Sequence, residues 1–180
     1  EDSLARFVSE LLEELDREGA LAAFYDQYRE DGWGSAAYHP LMMVKVLVYG
    51  YSIGITSSRR LAQALEDQVA CRYLSANQSP DFRTIADFRK RHLTALEGFF
   101  VQVLRLCREA GLVTMRRVAL DGRKVAANAA LDQNRTLQGI EREVHQILKE
   151  AERVDRAEDQ RYGPNRRGDE LPEALRTKEG

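Results

Sequence analysis

The chain has 180 residues, 43% of them hydrophobic and 31% charged, the composition of a soluble globular protein with room for one domain and part of another. A membrane span is excluded, because the apolar run from Leu41 to Ile55 carries Lys45 and two glycines and is shorter than the ~20 residues a bilayer requires. The net charge of −2 conceals an asymmetry: residues 1–35 hold 10 acidic and 3 basic side chains, whereas residues 59–125 hold 13 basic and 7 acidic.

Segment 3–29 repeats apolar residues at helical spacing, from Leu4, Phe7 and Val8 to Phe24 and Tyr28, and Gly19 breaks it into two pieces. Asp31-Gly32-Trp33-Gly34-Ser35 reads as a loop. A helix with Pro40 in its first turn is expected from Leu41 through Tyr51, buried in the core. Thr56, Ser57 and Ser58 offer hydroxyl caps for a helix at 58–66, and a short apolar helix follows from Val69 to Leu74.

Ser79-Pro80-Asp81 marks the clearest helix start: a capping hydroxyl, a proline at the first helical position and an acid in the first turn. At ~100° per residue the helix that follows gathers Phe82, Ile85, Ala86 and Phe88 on one face and Arg83, Thr84, Asp87, Lys90 and Arg91 on the other. Arg89 falls on the edge of the apolar face, where it is expected to be paired or to snorkel. A long helix from Leu93 to Ala110 closes at Gly111.

The period then changes. Short apolar runs at 117–120 and 124–127 flank Asp121-Gly122 and read as two strands of a β-hairpin. Residues 136–160 return to a charged amphipathic helix, and 161–170 is polar and expected to be flexible. Cys71 and Cys107 form no CxxC pair and read as reduced, buried and inert. His39, His92 and His145 lack the spacing of zinc ligands.

Two groups of residues point to chemistry. The outward face of the helix at 80–91, with Arg83, Thr84, Lys90 and Arg91, suits phosphates and base edges, and two shorter helices precede it as in a helix-turn-helix. Arg59 and Arg60, near a helix start, are a second candidate phosphate contact. Solvated helix surface accounts for the same charges. The second group is Asp121 with Arg116, Arg117, Arg123 and Lys124 close by: a carboxylate at a strand end beside positive charge suits a divalent cation acting on phosphate. An Asp-Gly pair is also ordinary turn chemistry.

A family resemblance rests on several of these segments in order. Tyr38-His39-Pro40-Leu41-Met42-Met43, Leu47-Val48-Tyr49-Gly50-Tyr51, Thr56-Ser57-Ser58-Arg59 and Ala76 through Arg89 resemble the InsH-type N-terminal domain of bacterial insertion-sequence transposases. Val118 through Ala129 is similar to the start of their catalytic domain.

The resemblance implies a DDE transposase: a helical domain at 1–112 that binds the element's terminal repeats, and an incomplete RNase H-like α/β domain beginning at 113–180. Asp121 would be the first catalytic aspartate and a Mg²⁺ ligand, with Arg123 and Lys124 added to the DNA contacts. It further implies double-stranded DNA as partner, assembly as a homodimer or higher transpososome, and a cytoplasmic, nucleoid-associated location.

Arg123 departs from the family's usual small hydroxyl residue, and the second aspartate and the glutamate of the triad are expected beyond Gly180. Asp132, Glu141 and Glu143 receive no catalytic role. The expected fold is thus mainly α, a helical bundle followed by the first β-hairpin and a helix of a truncated RNase H-like domain. Two other readings compete with the transposase. One is a transposase-derived regulator that binds DNA or dimerises without catalysis. The other is a generic helix-turn-helix factor, which leaves Asp121 and the helix at 136–160 unexplained.

Overall fold

The computed structural model describes residues 2–26, 38–109 and 137–170, and within them every regular element is a helix. In chain order these are α1 (Asp2–Arg17), α2 (Ala22–Tyr25), α3 (Pro40–Ser52), α4 (Ser58–Asp67), α5 (Val69–Leu74), α6 (Phe82–Arg91), α7 (Leu93–Glu109) and α8 (Leu137–Tyr162). None of them is long and apolar enough to cross a membrane.

Ala5, Val8, Leu12 and Leu15 recur at the helical period and bury one face of α1. The helix stops where Gly19 takes φ +83°, a conformation that a Cβ disfavours. The Gly19 N–H then bonds the Asp16 carbonyl and the Ala20 N–H the Leu15 carbonyl, so the last turn is satisfied. Beyond it, α3 is buried almost all round, Pro40, Met42 through Leu47 and Tyr49 through Tyr51 included, and packs against α1 and α5. Its one charge, Lys45, donates to Ser9 Oγ at 2.9 Å and to Glu13 Oε1 at 2.5 Å on α1. The Lys45 bond, with a second donated by Ser9 Oγ at 3.0 Å, holds the Glu13 carboxyl below its usual range.

The expected β-hairpin and RNase H-like α/β fold are overturned: every regular element among the described residues is a helix and none is a strand. Residues 117–127 themselves, Asp121, Arg123 and Lys124 among them, lie outside the described residues, as does the expected loop around Trp33. A short apolar run beside an Asp-Gly pair satisfies a strand pattern locally, yet such runs do not separate strand from other structure. The longer-range signal downstream is helical. Ile140, Val144, Ile147, Leu148 and Ala151 form one buried stripe of α8, which packs along α7 and touches α4.

Two smaller expectations also change. The cap of α6 is Asp81, whose carboxylate accepts from the Arg83 N–H at 2.9 Å, and Ser79 and Pro80 precede it. Residues 161–170, expected to be flexible, are tied down: Arg161 and Tyr162 close α8, and 163–170 hydrogen-bonds to α4 and α6. Composition alone conceals this, because the anchoring partners stand about a hundred residues apart in sequence.

Candidate nucleic-acid interface

Ten residues of α6 separate two kinds of cation. Inward, Phe82, Ile85 and Arg89 are buried, and the Phe88 ring packs tilted against His92 at 4.6 Å between centroids. Outward, Arg83, Asp87, Lys90 and Arg91 are exposed, with Thr84 half-buried beside them. Arg83 is partly tethered, its Nε donating to Asp81 Oδ1 at 2.9 Å and its Nη1 to Asn165 Oδ1 at 3.3 Å. Partial burial acts to raise the Asp81 carboxyl, but the Arg83 hydrogen bonds outweigh it and hold the group below its usual range. Lys90 and Arg91 have no ion pair with any described residue.

Arg89 is 1% exposed. Its guanidinium bonds Asp155 Oδ2 at 2.8 Å and Glu152 Oε2 at 3.0 Å, both on α8, and donates to Ser58 Oγ at 3.3 Å. Burial opposes the charge, yet Tyr51 and Asp155 beside it more than offset this, and its pKa lies above the ordinary arginine value. Burial likewise pushes the Tyr51 phenol up to about 12.

Asp155 also serves α4. It accepts from the Ser58 N–H at 2.8 Å and from Ser58 Oγ at 2.6 Å, while Ser57 caps the helix through Arg60 N–H and donates to Glu158. The free N–H groups and dipole at the start of α4 would suit a phosphate, but the carboxylates of α8 already occupy that place.

Among the expected DNA contacts, therefore, Arg60, Arg83, Lys90 and Arg91 reach the surface, Thr84 does so in part, and Arg59 does not. Arg59 is 4% exposed, lies 4.3 Å over the Phe82 ring, and bonds Asp159 Oδ1, the Gly163 carbonyl and the Arg166 carbonyl. Arg123, Lys124 and Asp121 lie outside the described residues. No three carboxylate, histidine or cysteine side chains converge as a cation site among the described residues.

Sequence reasoning missed the acids that hold the inner arginines. The available signal is Asp155, a charge standing where the stripe through Val144, Leu148 and Ala151 calls for an apolar residue. At the far end of α8, a cleft of about 320 Å³ is lined by Arg105, Arg108, Glu109, Leu137 and Ile140, remote from α6.

Residues 1–91 match the family described as Transposase domain (DUF772). The matched region ends on the last residue of α6 and so includes every cation of the outward face. No curated protein and no solved structure matches the chain.

Proposed function

This chain belongs to the transposase-domain family, and from that premise we propose that α6 binds the end DNA of a mobile element. The observation that carries the reading is the division of cations on α6: Arg89 is neutralised inside, whereas Arg83, Lys90 and Arg91 stand outside. A ten-residue helix is ~15 Å long and enters a major groove ~12 Å wide. Arg83 and Lys90 are seven residues apart, ~10 Å along the same face, which suits phosphates on either side of the groove.

Both nearby helix starts are occupied by carboxylates, Asp81 on α6 and Asp155 on α4, so phosphate binding falls to the side-chain cations. Asp87, midway along the face, repels phosphate and suits a base-edge donor such as the cytosine amino group.

A fluorescence-anisotropy titration of a duplex carrying the element's terminal repeat, repeated across salt concentrations, tests this. Replacing Lys90 and Arg91 together with alanine should weaken binding and reduce the slope of log affinity against log salt by about 0.9 for each phosphate no longer neutralised. Absence of binding at low salt, or a double variant indistinguishable from the parent, refutes the role of α6. Asp121 is proposed as the first carboxylate of the Mg²⁺-dependent strand-cleavage site. In the transposase containing this chain, Asp121→Asn should abolish cleavage and leave end binding intact; cleavage at the parental rate removes Asp121 from that role.

A further inference from the structure

Beyond α6, residues 163–168 (Gly-Pro-Asn-Arg-Arg-Gly) leave the end of α8 as a strap lying against α4 and the first turn of α6. Its backbone is fixed from beneath. Arg59 donates from Nη2 to the Gly163 carbonyl and from Nε to the Arg166 carbonyl, both at 2.9 Å. Arg167 bonds the Glu66 carboxylate of α4 at 2.5 and 3.1 Å. The turn at Gly168 has φ +92° and sits so close to Tyr162 that a Cβ there would meet its ring at 2.9 Å.

The acids that follow are turned back onto the strap. Asp169 pairs with the Arg167 side chain, and Glu170 accepts from the Arg167 and Gly168 N–H groups. Arg166 is different. Its carbonyl anchors the strap, while its side chain is exposed and has no ion pair with any described residue. Its neighbour Asn165 accepts from Arg83, so the strap adjoins the outward face of α6 at its N-terminal end.

We propose that the strap is a second DNA-contacting element, in which Arg166 binds a backbone phosphate beyond the end of α6 occupied by Arg83. The proposal rests on the DNA-binding reading of α6 and extends the footprint along the duplex. A cation on a backbone already fixed by other residues contacts phosphate with little further ordering cost. Arg59 is then a positioning residue: it touches no DNA but holds the strap that does.

The test is anisotropy with a labelled mixed-sequence duplex over a range of salt, using Arg166→Ala, Arg166→Lys and Arg142→Ala. Arg142 is exposed on α8, 20 residues before Tyr162 and so ~30 Å away along the helix, and its removal matches the charge change of Arg166→Ala. Arg166→Ala should bind severalfold more weakly, with a salt slope smaller by about 0.9, while Arg166→Lys and Arg142→Ala keep the parental slope. If the parent binds and Arg166→Ala behaves like Arg142→Ala, the strap does not touch DNA and the α6 reading stands. If the parent chain itself binds no duplex at low salt, the α6 reading falls and this proposal falls with it.

Discussion

The two faces of α6 carry the same kind of side chain to opposite ends. Arg89 on the inner face meets Asp155, Glu152 and Ser58 and is withdrawn from solvent; Lys90 and Arg91, one and two residues further on, are left to the surface. At ~100° per residue, a single step along a helix separates a structural cation from one available to a ligand. Arg59 and Arg60 repeat the division on α4, the first buried over Phe82 and the second exposed. Charge counting treats these residues as one basic patch. Partners divide them.

The largest effect should come from the inner face. Arg89→Met leaves the buried Asp155 carboxylate without its cation, and breaking such a pair costs about 3–5 kcal/mol. Urea denaturation measures it, and a decrease below about 1 kcal/mol would place Arg89 among ordinary surface arginines.

A smaller effect sharpens the comparison at the end of the same helix. His92 packs against Phe24 and Phe88, and burial, aided by the Arg91 charge, lowers its pKa below the ordinary 6.5. The unfolded chain then takes up the proton first as pH falls. The stabilisation is fully present above pH 6.5 and is lost as pH drops from there through the folded value. His92→Phe keeps a ring in the aromatic cluster and should flatten the dependence of thermal stability on pH across that window; an unchanged slope would locate the titration elsewhere.

The smallest effect belongs to the outer face. Lys90→Ala with Arg91→Ala should leave the thermal midpoint unchanged while weakening DNA binding. A substantial drop in stability would show that the outward cations also serve the fold.

The helices are largely legible in the sequence, because each signal is local. The apolar period of α1, the Ser57 hydroxyl before α4 and the Gly19 stop all act within a few residues. Even the fate of Arg89 follows from its place at the edge of the apolar face. What pattern does not supply is its partner, since 63 residues separate Arg89 from Glu152 and nothing local joins them. The burial of Arg59 is hidden from sequence for the related reason that its partners include backbone carbonyls beyond α8, which composition does not advertise. The α/β expectation shows the opposite risk: it extends a short motif at Asp121 to a fold that the described residues, whose regular elements are all helices, do not carry.

The docking of α8 has one further consequence. The family match stops at Arg91, yet the counter-ions of Arg89 and the carboxylate capping α4 come from residues 152–158. The packed set of helices is therefore wider than the recognisable motif. A recombinant piece trimmed to the matched region would strand a guanidinium in apolar surroundings, and the minimal fragment worth expressing has to reach past α8.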